Sequence, residues 1–193
     1  MNETELLKQI ADILKNQKWS PRYSEALKSD TELTEFISDV IAELASMLGM
    51  FHFREYYTID HVLYRDEDRI AEGLLPYGTS RVKGIWLKHI CVAVEHENHL
   101  DKAGGFQELA KLMLINADLK VLMGWAEKYD NYDKFALEYQ QIYNSTNPSE
   151  HTKPILFIGE YSDTHIEAYL IAPRHLMKYD ETTGWQSLDS LGQ

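Results

Sequence analysis

A single cysteine, Cys91, stands in a chain of 193 residues. No internal disulfide is possible, and one cysteine suits a reducing compartment, so the expected location is the cytoplasm. No apolar run approaches the ~20 residues that a membrane span needs. The N-terminal segment MNETELLKQIADILKNQK is charged and amphipathic, without the apolar stretch of a secretory signal. Basic residues are scarce: 19 Lys and Arg stand against 31 Asp and Glu, a net charge of −12. That balance excludes a protein that holds nucleic acid by bulk positive charge. It leaves room for a nucleic-acid enzyme whose metal ions offset part of the charge of its site. Repeats and low-complexity tracts are also lacking. Apolar residues make up 44% and charged residues 26%, a balance that supports a packed core over 1–193 as one domain.

Periodicity sets out the elements. Leu6, Leu7, Ile10, Ile13 and Leu14 recur at helical spacing and predict a helix over 4–16. SPRYSEALKSD (20–30) reads as a connection with room for a short helical turn. Leu33, Phe36, Ile37, Val40, Ile41, Leu44 and Leu48 predict a long helix over 31–48, stopped by Gly49. REYYTIDHVLY (54–64) is aromatic and β-branched, and reads as one strand or two. LLPYGTS (74–80) has turn chemistry, and GIWLKHICVAVEHE (84–97) reads as a long central strand covered on both faces. A bend at Gly104–Gly105, a helix over 106–117, a buried strand over 119–125 and a helix over 131–143 follow. Strands over 154–161 and 165–173 form a hairpin, and the tail TTGWQSLDSLGQ gives no clear pattern. The fold class is α/β (α+β) with a mixed sheet.

The chemistry concentrates where the central strand ends. Strand alternation puts Cys91, Ala93, Glu95 and Glu97 on one face and Val92, Val94 and His96 on the other. Two carboxylates one strand repeat apart resist joint ionisation unless a cation or solvent neutralises them. Asp60, set between apolar neighbours in TIDHVLY, supplies a third acid. Asp60, Glu95 and Glu97 make an oxygen-rich set suited to Mg²⁺ or Mn²⁺ and poor for zinc. Acid pairs at strand ends are often only solvated caps, and that bland reading stands beside the metal-site one. His96 and His99 are three apart and begin in a strand, so the helical His-Glu-x-x-His zinc motif does not apply. Cys91 reads as a small core residue. Tyr56, Tyr57 and Tyr64 read as core aromatics that would also suit base stacking. Arg81, Lys83 and Lys88 read as a solvated rim, or as contacts to a phosphate backbone.

Asp60 in IDHVLY, then VAVEHEN, then the helix FQELAKLM together resemble the PD-(D/E)xK nuclease superfamily, the restriction-endonuclease-like fold. The resemblance covers about half of the chain. It implies an αβββαβ core over 31–125, with the N-terminal helices over one sheet face and a C-terminal helix plus two-strand extension over 131–173. It implies a metal-dependent nuclease that hydrolyses phosphodiester bonds with Mg²⁺ or Mn²⁺ held by Asp60, Glu95 and Glu97. DNA is the more expected substrate than RNA, no membrane is involved, and a homodimer is a possible assembly. The chain departs from the family pattern at Ile59, where the motif has proline, and at Glu97, where it has lysine. Lys111, four residues after Gln107 on one helix face, is the candidate for a lysine moved to the following helix. Asp66 and Asp68 are alternatives to Asp60, and Glu55 is an additional acid. The rival reading is a catalytically inactive interaction module of the same fold, which the absent lysine and the net charge favour.

Overall fold

The computed structural model describes residues 1–15, 20–77, 80–100, 104–126, 132–145, 153–160, 163–172, 175–180 and 182–188. Among them the first three helices are α1 (Glu3–Lys15), α2 (Ser20–Ala26) and α3 (Asp30–Met47). Helix α3 begins at Ser29, whose side chain accepts the Glu32 N–H at 3.2 Å. It stops before Gly49, whose φ of +63° is the left-handed conformation that a side chain would resist.

Strands β1 (Phe51–Tyr56) and β2 (Ile59–Tyr64) form an antiparallel hairpin, so the 54–64 stretch divides in two. Among the described residues, strands β3 (Arg69–Tyr77) and β4 (Ser80–Leu87) pair only with each other and form a separate ribbon. In the LLPYGTS segment residues 74–77 and 80 are strand, and the pairing of Tyr77 with Ser80 puts the chain reversal within it; Gly78 and Thr79 lie outside the described residues. Pro76 fits because a strand with one partner can turn a missing N–H away from the ladder. The long strand expected over 84–97 is divided for the same reason. The chain leaves the ribbon after Leu87, bends through 88–91, and enters the main sheet as β5 (Val92–Glu97).

Helix α4 (Gly104–Leu114) follows, then β6 (Leu119–Ala126) and α5 (Tyr132–Ser145). Gly104 and Gly105 belong to the first turn of α4 rather than to a bend. Gly105 sits there because α4 closely approaches α5: a Cβ on it would lie 1.5 Å from the Tyr139 hydroxyl and 2.8 Å from Leu100. The C-terminal part holds β7 (Ile155–Glu160), β8 (Asp163–Ala172), β9 (His175–Asp180) and β10 (Gly184–Ser187). The expected two-strand extension thus has four strands. The last two escaped the sequence pattern because they are short and half-exposed with weak alternation, β10 lying at the sheet edge.

The eight-stranded main sheet runs β1-β2-β5-β6-β7-β8-β9-β10 and is mixed. Strands β5, β6 and β7 are parallel, and the remaining pairs are antiparallel. One sheet face packs against α1, α2 and α3 through residues such as Leu6, Phe36, Ile41, Val92, Val94 and Trp125. The other packs against α4 and α5 through Val62, Ala93, Leu109, Leu122, Tyr139 and Ile158. The chain is a mixed α/β protein, and both faces of its central strands are covered. No helix of the described residues is long and apolar enough to cross a membrane.

Candidate metal centre

Strand register explains why the acids meet. In the β2–β5 ladder His61 pairs with Val94, Val62 with Ala93 and Leu63 with Val92. Extending this pairing by one residue sets Asp60 opposite Glu95. Both then lie on the face that carries Val62 and Ala93, toward α4. Helix α4 crosses this face between β5 and β6 and brings Glu108 and Lys111 over the same spot. One carboxylate oxygen each from Asp60, Glu95 and Glu108 lie within 4.8 Å of one another. Lys111 Nζ is 3.7 Å from Glu95 Oε2 and also pairs with Glu108.

Glu95 is fully buried, and apart from the neighbouring Asp60 and Glu108 carboxyls its oxygens have no hydrogen-bond partner among the described residues. Burial raises its pKa to about 10, and the neighbouring Asp60 and Glu108 carboxyls add to the shift. Asp60 behaves in the opposite way. Its burial pushes upward, but hydrogen bonds from the His96 ring, Glu95 and the His96 backbone outweigh that and hold it below the ordinary carboxylate range. The His96 N–H donates to Asp60 Oδ2 at 2.9 Å, and His96 Nδ1 lies 3.1 Å from the same oxygen. Proton-bearing Glu95 beside ionised Asp60 is the arrangement expected when close carboxyls share a proton. A divalent cation would displace that proton, and Glu95's oxygens with Asp60 and Glu108 form a hard oxygen donor set that fits Mg²⁺ or Mn²⁺.

Behind the acids, on the α3 side, a row of imidazoles runs through the sheet. His52 Nε2 is 3.0 Å from His61 Nδ1, and the His61 and His96 rings are 5.6 Å apart. His96 Nε2 reaches Thr34 Oγ1 of α3 at 3.3 Å, which also accepts from Asn98 Nδ2 at 2.9 Å. His61 is buried, which together with neighbouring His96 and His52 lowers its pKa to about 3. This network fixes His96, and His96 fixes Asp60.

Of the residues singled out in the sequence, Asp60, Glu95 and Lys111 come together. Glu97 does not join them: its Oε1 accepts the His99 N–H at 2.9 Å. Gln107 is exposed, and the partner of Lys111 on α4 is instead Glu108. The signal for Glu108 was available, since residues three apart on a helix also share a face. Asp66 is exposed and paired with Arg69; Asp68 is buried in the turn before β3, among the surroundings of Cys91 rather than of Glu95. Glu55 is exposed, with φ of +55°; the hairpin brings it opposite Asp60, which a single continuous strand would not. Tyr56 and Tyr64 are buried, whereas Tyr57 is 78% exposed. Lys88 is exposed, and the side chains of Arg81 and Lys83 lie outside the described residues.

Beside the acids opens a cleft of about 410 Å³, whose lining includes Tyr56, Tyr57, Lys88, His89, Lys111 and Asn116. Lys111 borders both the cleft and the acid cluster. No protein-family model matches the chain, and no curated protein matches it.

Proposed function

We propose that the protein is a metal-dependent phosphodiesterase of the PD-(D/E)xK type, acting on DNA. The observation that carries this reading is the convergence of Asp60, buried Glu95 and the helix-borne pair Glu108–Lys111 at one end of β2 and β5. The element order supports it. Taking α3, β1, β2, β5, α4 and β6 together, with the β3–β4 ribbon as an insertion before β5, gives αβββαβ. In that order the Asp falls on the second strand and the Glu on the third.

In this reading Asp60, Glu95 and Glu108 hold Mg²⁺ or Mn²⁺, with Glu108 in the place first given to Glu97. The ion would polarise the scissile phosphate and acidify a water. Lys111 places an ammonium beside Glu95, where it orients water and offsets phosphate charge. His96 holds Asp60 ionised and in place. The partial exposure of Asp60 and Lys111, at 30% and 35%, leaves the cluster open to a substrate on the cleft side.

The test is cleavage of plasmid and single-stranded DNA with Mn²⁺, comparing the parent with Asp60→Asn, Glu95→Gln and Lys111→Met. Loss of a metal-holding carboxylate should remove several kcal/mol of barrier reduction, about a hundredfold or more in rate. Activity that survives in both carboxylate variants sinks the reading. The alternative, an inactive binding module of the same fold, is favoured by Glu97 at the motif's lysine position and by the net charge of −12. It predicts a silent parent that a divalent ion still stabilises.

A further inference from the structure

A second group of metal-type donors lies away from the acid cluster, at the opposite end of β5. We propose that His89, Cys91 and Asp118 form a site for a zinc-type transition-metal ion, separate from the Asp60–Glu95–Glu108 cluster. One donor atom from each residue lies within 4.8 Å of the others. His89 Nε2 is 2.9 Å from Asp118 Oδ2. Zn–S bonds of about 2.3 Å and Zn–N or Zn–O bonds of about 2.0–2.2 Å put tetrahedral donors roughly 3.3–3.6 Å apart. Small side-chain adjustments therefore suffice.

The backbone already holds the three together. His89 and Cys91 belong to the link from β4 to β5, and Asp118 to the link from α4 to β6. The Asp118 N–H donates to the Ile90 carbonyl at 3.1 Å, and the Leu119 N–H donates to the Cys91 carbonyl at 3.0 Å. The donor set determines the ion class. Thiolate with imidazole and carboxylate suits zinc and its neighbours, whereas Mg²⁺ prefers an all-oxygen set.

A second observation points to a cation here. Asp68 is only 6% exposed, and its Oδ2 has no hydrogen-bond partner among the described residues. Its charge and that of Asp118 act on the Cys91 thiol, as does the opposing charge of Arg65, whose backbone N–H also bonds the sulfur. Burial raises the thiol's pKa and the two carboxylates add to the rise, against the Arg65 charge and N–H; a divalent ion held by the sulfur would favour the thiolate. His89 also lines the 410 Å³ cleft, so an entry route exists, and three protein donors leave a fourth position for water or a ligand.

Co²⁺ is the probe, added to the whole chain under reducing conditions. A single equivalent should produce a thiolate-to-cobalt charge-transfer band in the near ultraviolet, and Zn²⁺ should bleach it. Cys91→Ser should abolish the band. His89→Ala and Asp118→Asn should weaken Co²⁺ binding by at least about tenfold, as loss of even an outer partner does. Glu95→Gln should leave the band unchanged, which separates this site from the acid cluster and makes the test independent of the proposed nuclease activity. Absence of the band from the parent, or a band that keeps its strength in both His89→Ala and Asp118→Asn, overturns the proposal. Those two side chains are partly or largely accessible, so they decide the matter even where Cys91→Ser fails to fold.

Discussion

Removing the charge from Glu95 should make the metal-free protein more stable. Glu95 is fully buried, has no hydrogen-bond partner among the described residues beyond the carboxyls beside it, and sits between Asp60 and Glu108. Its ordinary pKa of 4.5 rises to about 10 in the fold. At pH 7 the folded state must therefore keep a proton that the unfolded chain releases. At ~1.36 kcal/mol per unit, the roughly 2.5 units between 4.5 and 7 set a ceiling of about 3 kcal/mol on this cost. A carboxamide escapes it but leaves its own polar atoms unmet, a loss of about 1–2 kcal/mol. The net expectation for Glu95→Gln is a gain of about 1–2 kcal/mol, or ~2–8 °C in Tm for a chain of this length.

The pH dependence has a definite sign. A carboxyl whose folded pKa is raised costs nothing below its unfolded value, and stability is lost as pH rises from about 4.5 to about 10. The advantage of Glu95→Gln should thus vanish near pH 5–6, where the proton's cost equals the carboxamide's loss, and widen up to about pH 10. Thermal melts in EDTA at several pH values measure this. Millimolar Mg²⁺ or Mn²⁺ should reverse the order, since an ion at about 100 times its Kd adds ~2.7 kcal/mol to the parent and little to the variant. A Glu95→Gln protein that melts below the metal-free parent at pH 8, or keeps the full metal-induced shift, would refute the reasoning.

Three other expectations follow from particular contacts. Gly105→Ala should cost about 1–3 kcal/mol by overpacking against buried Tyr139 and should displace α4 with Glu108 and Lys111; a denaturant melt at the parent's midpoint would contradict the close approach. Buried His61, whose pKa falls from 6.5 to about 3, should lose the fold up to about 2 kcal/mol as pH drops from 6.5 to 5, and His61→Leu should flatten that acid slope; an unchanged slope would show that His61 is not the titrating group. Glu97→Lys should give no gain in cleavage, because Glu97 bonds the His99 N–H while Lys111 already sits beside Glu95; Mn²⁺-dependent cleavage appearing only in Glu97→Lys would mean a nuclease that has lost its lysine.

Much of the architecture was legible in the sequence because burial writes a clear period. α3 is visible in Leu33, Phe36, Ile37, Val40, Ile41 and Leu44, all buried, and β5 in an apolar run covered on both faces. The elements that escaped are those whose hydrophobic pattern is diluted. The β3–β4 ribbon lies outside the main sheet, and β9 and β10 are half-exposed. At the site, strand alternation found Asp60 and Glu95 because a period of two survives inside a ladder. It placed Glu97 with them because alternation takes no account of where the strand ends, and at Glu97 the chain turns to bond the His99 N–H. Glu108 was missed because Lys111 was paired with Gln107 at a spacing of four, whereas the spacing of three that links it to Glu108 marks the face that docks over β5.

Local rules fail at Glu95, and that failure bears on function. A residue with no exposed surface on a strand between β2 and β6 is where an apolar side chain serves stability best. A carboxyl there, whose hydrogen-bond partners among the described residues are only the two acids beside it, lowers stability at every pH above 4.5. Lys111 relieves only part of this, since its ammonium stands 3.7 Å away, is shared with Glu108 and is a third exposed. A purely structural role gives no reason for the arrangement, because glutamine or leucine would fill the space at lower cost. A divalent cation gives one. It would meet the Glu95 oxygens, remove the repulsion among three carboxylates and, in the proposed reading, leave Lys111 free to face a phosphate. On the proposed reading the site would be unfavourable without an ion and favourable with one, and the stability difference between those two conditions is the most direct test of what Glu95 does.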